Sequence, residues 1–213
     1  TDIVDYLQEG DKFSIDRLQF NSFANPYKSI YTKFSAGIFE SMFGGYGGEF
    51  LYRPFNKNYA IGLEAWRVRQ RDYKQDLSFR SYETSTGHIN FFYREPNSGV
   101  LLSIKGGRYL AGDSGYTFDV SRKFETGMRV GAFFSRTDIS KEEFGEGAFD
   151  KGLYFSIPLD FFSTTYGKRS FNWGIKPVTR DGASVLIHGL PLFGVTDQAS
   201  NWSITHSWNN IYE

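Results

Sequence analysis

The chain has 213 residues, enough for one domain or one large piece of a longer protein. Its 24 Lys+Arg balance 24 Asp+Glu, leaving no electrostatic footprint for gathering nucleic acid, and the absence of cysteine removes disulfides, thiolate metal sites and thiol nucleophiles. Mean hydropathy is −0.42, and no run approaches the ~18 apolar residues of a membrane helix. That excludes helical spanning segments but leaves β-barrels open, since a barrel strand needs apolar side chains only at every second position.

Residues 1–29 read as a linker or N-terminal extension, with a short amphipathic turn around Ile3, Leu7 and Ile15. From Ile30 onward period two dominates, and segments 30–42, 59–71, 79–94, 100–111, 116–124, 128–139 and 151–162 are predicted strands. Tyr116, Phe118 and Val120 alternate with Thr117, Asp119 and Ser121; Leu153, Phe155 and Ile157 alternate with Tyr154, Ser156 and Pro158. Trp66 and Val68 break the parity of Ile61, Leu63 and Ala65, which predicts a bulge near Ala65. In the tail, 184–194 and 201–208 read as two further strands.

One oily face and one wet face suit an antiparallel sheet. Soluble strands run to about 5–6 residues, whereas a tilted membrane strand needs about 9–11. Most of these segments reach the longer figure. The prediction is an all-β fold: an antiparallel up-and-down transmembrane β-barrel over 30–213, or part of one, with about 10–12 strands. The alternative is a soluble periplasmic β-sandwich that buries the oily face and binds glycan.

In a meander, alternate connections share an end. Turns at 56–58, 95–99, 125–127 and 163–170 would lie at one end. The other would collect 43–49 (FGGYGGE), 69–73 (RQRDY), 112–115 (GDSG), 141–150 (KEEFGEGAFD) and 180–183 (RDGA). Bacterial outer-membrane barrels keep short turns periplasmic and longer loops outside, so this charged rim would face the exterior.

The rim segments and their flanking strands also carry a resemblance. The runs SAGIFESMFGGYGGEFLYRPF (35–55), VRQRDY (68–73), TGHINFFY (86–93), GRYLAGDSGYTFDVSRKFETGMRVGAFFSRTDIS (107–140), EEFGEGAFDKGLYFSIPLDFF (142–162) and WGIKPVTRDGA (173–183) resemble the YjbH/GfcD family. Its members are outer-membrane lipoproteins of Gram-negative bacteria encoded with exopolysaccharide or capsule genes. The resemblance implies a bacterial outer-membrane barrel that takes part in polysaccharide export or surface assembly, and it brings no enzymatic activity or cofactor. Implied partners are outer-membrane lipid, polysaccharide, and export-channel proteins or a remaining barrel segment. Family members are longer and begin with a lipidated cysteine, so a C-terminal portion is expected.

Enzyme motifs are missing: there is no G-x-S-x-G elbow, H-E-x-x-H or P-loop. His88, His188 and His206 are far apart in sequence and read as isolated strand or loop residues rather than metal ligands. Glu142, Glu143, Glu146 and Asp150 cluster in one loop. Two of them could flank a glycosidic bond, which gives a second alternative, an outer-membrane enzyme acting on polysaccharide or lipid; the ordinary reading is a solvated or sugar-contacting loop. Arg67, Arg69 and Arg71 share a strand face. Pointing inward, they would offer forked donors to uronate or phosphate, or form a ladder with Glu49 or Glu64. With Glu49, Asp72, Asp113, Arg180 and Asp181 they complete the candidate glycan-contacting rim. Tyr46, Tyr73, Tyr109, Trp173, Trp202 and Trp208 read as interfacial girdles.

Overall fold

The computed structural model describes residues 3–9, 14–124, 126–139, 150–158, 170–175 and 182–207. A short helix α1 (Ile3–Glu9) precedes ten strands: β1 (Leu18–Tyr27), β2 (Ile30–Ile38), β3 (Phe43–Tyr52), β4 (Tyr59–Arg71), β5 (Phe79–Arg94), β6 (Val100–Arg108), β7 (Ser114–Lys123), β8 (Arg129–Thr137), β9 (Asp150–Pro158) and β10 (Ser170–Ile175). Two short helices follow, α2 (Leu192–Asp197) and α3 (Asn201–Ser207). The strands form one antiparallel sheet in the order β1 to β10, each hydrogen-bonded to its sequence neighbours. Among the described residues β1 pairs only with β2 and β10 only with β9, so the sheet is an open meander.

The strands predicted over 59–71 and 79–94 coincide with β4 and β5. Burial alternates along β4 and along β5 from Thr84 onward because one face is covered there and the other is not. Along β4, Ala60, Gly62, Glu64, Trp66 and Val68 are buried, while Ile61, Leu63, Ala65, Arg67 and Arg69 are exposed. The bulge expected near Ala65 is absent: Ala65 stands in regular register between Gly48 and Gly87. Trp66 and Val68 face the covered side because an apolar cluster waits for them there. The register shifts between Arg69 and Arg71 instead.

Three other expectations are corrected. Residues 43–49, read as a connection, belong to β3. Their glycines are used in a strand: a Cβ on Gly47 would stand 2.5 Å from the Trp66 indole, so the missing side chain makes room for that ring. Leu18–Tyr27, assigned to an extension, is the first strand. Its Asn and Pro residues hid it, and a proline is tolerated there because β1 lies at an edge. Finally, the tail is not made of strands. Ser200 Oγ accepts the Ser203 N–H at 3.3 Å, an N-cap that starts α3, and Pro191 precedes α2.

The tail lies across the covered face and supplies one or more residues to each of three apolar clusters. Leu186 packs with Phe39, Phe43, Trp66, Val68 and Leu110. Leu192 packs with Leu51 and Ala60, bordered by Phe92 and Phe193. Ala183 packs with Tyr109, with Val185 alongside. Burying each leucine is worth about 2 kcal/mol. The opposite face is apolar and uncovered: Leu63 is 47% exposed, Ile89 62%, Val120 47% and Leu153 62%.

Candidate functional site

The covered face carries charge where a soluble core would carry carbon. One row of directly opposed residues runs Lys33 (β2), Glu49 (β3), Glu64 (β4), His88 (β5). Two carboxylates side by side repel unless cations surround them. Lys33 Nζ lies 2.8 Å from Glu49, His88 Nδ1 lies 2.9 Å from Glu64, and Lys105 from β6 reaches Glu64 at 3.2 Å. The tail completes the set. His188 Nε2 lies 3.3 Å from Glu64 and 3.9 Å from Glu49, and its ring stacks on Trp66 with centroids 4.4 Å apart.

His188 Nδ1 lies 3.0 Å from Lys33 Nζ and 3.2 Å from the Gly189 carbonyl, while Nε2 faces Glu64. Lys33 also donates to the carbonyls of Gly189 and Leu190 at 3.0 and 3.1 Å. Glu49, Glu64 and His188 offer three donor atoms within 4.8 Å of one another. A cation there would have to displace Lys33 from Glu49. Two lysines face two carboxylates, and both imidazoles lie against Glu64, making a lock that holds the tail to the sheet.

A second clamp lies at the end where the β3–β4 and β5–β6 turns meet. Asp197 of α2 receives Arg94 at 3.0 and 2.9 Å and Arg53 at 2.7 Å. Burial pushes the Asp197 carboxyl up, but the flanking Arg94 and Arg53 charges outweigh it and hold it below the usual carboxylate range. Phe193 stacks on Phe92 at 3.8 Å under the Arg53 guanidinium, and Trp202 lies under Arg94 at 4.4 Å.

At the opposite end the β2–β3 turn contributes Glu40. Burial pushes its carboxyl up to about 7, against a backbone hydrogen bond at Ile187 and the charge of Arg17. Arg17 Nε donates to the Phe39 carbonyl at 2.8 Å.

The expected rim residues do not form one site. Glu49 belongs to the central lock. Arg67 and Arg69 sit on the uncovered face, where Arg67 pairs with Glu83 and Arg69 donates to the Arg80 carbonyl. Neither meets Glu49 or Glu64. The shift after Arg69 turns Arg71 inward, where it is fully buried and donates to the carbonyls of Glu40 and Ser41 at 3.0 and 3.2 Å and of Asp76 at 3.0 Å. Arg71 therefore fastens loops. Asp72 accepts the Lys74 N–H, and buried Asp113 accepts the Ala183 N–H at 2.9 Å. Asp150, also buried, opens β9. Glu142, Glu143, Glu146, Arg180 and Asp181 lie outside the described residues, as does Trp208. Of the expected girdle aromatics, Tyr46 and Trp173 are exposed, but Tyr109 is buried at 0% against His88 and Trp202 packs on the clamp. Lys33, Lys105, the two histidines and Asp197 were not singled out as partners. Histidine parity was the available signal for one of them, since His88 alternates with Ile89 on a strand.

Known proteins bear on this arrangement. The sequence model of the family described as "Exopolysaccharide biosynthesis protein YbjH" matches residues 1–198. A curated relative, the "Uncharacterized lipoprotein YjbH" of Escherichia coli (strain K12), is 38% identical over 206 residues. That alignment covers 94% of this chain and 29% of the relative, so the chain spans under a third of that protein's length. No solved structure matches. On the family match along nearly the whole chain and that identity, the chain belongs to the YjbH family of exopolysaccharide-related proteins.

Proposed function

We propose that this chain forms part of the wall of a bacterial outer-membrane β-barrel and serves exopolysaccharide or capsule export, or surface assembly, without catalysing a reaction. The observation that carries the reading is the inversion of the sheet: its oily face is uncovered and its charged face is packed under the chain's own tail. A soluble sandwich buries the oily face; a membrane barrel turns it to lipid. Strand lengths fit, since β1 to β9 run from 9 to 16 residues where a tilted span needs about 9–11.

Edges at β1 and β10 give further strands, whatever chain supplies them, a place to complete the wall. Wide aqueous channels come with about 16–18 strands. On its own, this wall of ten described strands, with the tail across its inner face, is a docking or retention element for polymer, and conduction is left to a completed wall or to partner proteins.

Membrane fractionation with heat-modifiable gel mobility tests the barrel, and surface polysaccharide in cells deleted for the protein and complemented with it tests the role. Outer-membrane recovery, a heat-shifted band and restored polysaccharide are expected. A periplasmic, unshifted protein would instead favour the glycan-binding sandwich.

A further inference from the structure

The central lock is closed, but the Asp197 clamp is not. It borders a cleft that opens to solvent between the β3–β4 turn, the end of β5 and the tail helices. We propose that this cleft binds an acidic sugar unit of a polysaccharide, with aromatic side chains in its lining and at its rim for the pyranose ring and an excess of cationic donors for its carboxylate. The inference deepens the function proposed above, placing glycan contact at the turn end instead of the charged rim.

Charge comes first. Arg53, Lys57 and Arg94 line the pocket, and Asp197 is the carboxylate that Arg53 and Arg94 share. Three cations against one anion leave the pocket positive. The Lys57 backbone N–H is used in its turn, while its side chain stands exposed at the mouth. Arg94 is 5% exposed, and its Nε is buried with no hydrogen-bond acceptor. Buried donors are ordinarily satisfied, so an orphan beside a pocket marks room for an acceptor.

Shape comes second. Phe92, Tyr59 and Trp202 stand in the lining, and Phe193 is held there between Phe92 and the Arg53 guanidinium. Phe55, in the β3–β4 turn, is 52% exposed at the mouth. The apolar C–H faces of a pyranose pack on such rings, while a few polar groups fix its orientation. Trp202 is positioned on purpose: its Nε1 donates to the Pro96 carbonyl at 3.2 Å, and Gly99, at φ +69°, leaves the space its ring fills. In the barrel reading this end carries the short turns and faces the periplasm, where a polymer bound for export arrives.

Calorimetric titration of the purified full chain with trigalacturonate and with its neutral methyl ester tests the proposal. The acid is expected to bind about tenfold tighter than the ester, as a charge-assisted hydrogen bond predicts, and to weaken with salt. Lys57→Ala should erase most of that preference, and Phe55→Ala should weaken both ligands. Both side chains are exposed, so folding should survive, as a retained heat-shifted band would show. Arg67→Ala, on the uncovered face, should bind like the parent. Equal affinity for acid and ester, binding of neither, or binding indifferent to Lys57 and Phe55 overturns the pocket. Because the assay uses purified protein, such a failure leaves the outer-membrane reading standing, and a soluble chain that binds trigalacturonate would keep the pocket and remove the barrel.

Discussion

The carboxylate of Glu64, midway along β4, lies 3.3 Å from Nε2 of His188, so the middle of the sheet is tied to a segment that follows the last strand. Removing one partner from a buried ion cluster leaves the rest uncompensated and costs about 3–5 kcal/mol. Glu64→Ala is therefore expected to strand Lys105, His88 and His188 and release the tail. Limited proteolysis with mass mapping should show new cuts within 182–207, and Glu64→Gln, which keeps hydrogen-bonding capacity, should be cut less. An unchanged cleavage pattern in Glu64→Ala would contradict the lock.

The Glu40 carboxyl gives the fold a pH dependence of defined sign. Its value rises from 4.5 to about 7 in the folded protein, so between those values the folded state holds more protons than the unfolded one. Stability then falls as pH rises through that window and levels off above it, by on the order of 2–3 kcal/mol. The temperature at which the folded gel band converts should drop from pH 5 to pH 8 in the parent and drop less in Glu40→Gln. Parallel profiles in the two proteins would remove Glu40 as the cause.

Arg71 and Arg69 differ by two positions and should differ sharply in effect. Arg71 is buried and holds the carbonyls of two loops, so Arg71→Ala leaves several acceptors unsatisfied at about 1–3 kcal/mol apiece. Arg69→Ala, on the uncovered face, should change stability within about 0.5 kcal/mol. Barrel assembly scored by heat-shifted mobility is expected to fail or weaken in the first and persist in the second.

Gly99 and Gly106 make a matched pair. An alanine at Gly99 meets the Trp202 ring at 2.5 Å in a left-handed backbone, whereas at Gly106 the nearest atom is 3.9 Å away. Gly99→Ala should cost more than about 1 kcal/mol, and Gly106→Ala should lie near zero. Thermal conversion of the folded band measures both.

The alternation of Ile61, Leu63 and Ala65 or of Tyr116, Phe118 and Val120 made the sheet legible, because a one-sided sheet imposes period two on its sequence. Only part of the candidate site was legible. Glu49 and Glu64 were readable as inward carboxylates, but their cations come from Lys33, Lys105 and His188, which only pairing register and the returning tail bring together. Alternation at Trp202, Ile204 and His206 read as a strand because a short run fits both periods; the Ser200 cap decides it. Arg71 was placed with Arg67 and Arg69 by parity, and one register shift undoes that grouping.

The most direct test of the central claim asks what touches the oily face. The chain has no cysteine, so single cysteines at Leu63, Ile89 and Val120 on the uncovered face, and at Thr86 and Asn90 on the covered face, can each carry one fluorophore. In bilayers containing brominated acyl chains, strong quenching at the first three and little at the last two is predicted. Equal, water-like signals at all five positions would contradict a lipid-facing wall.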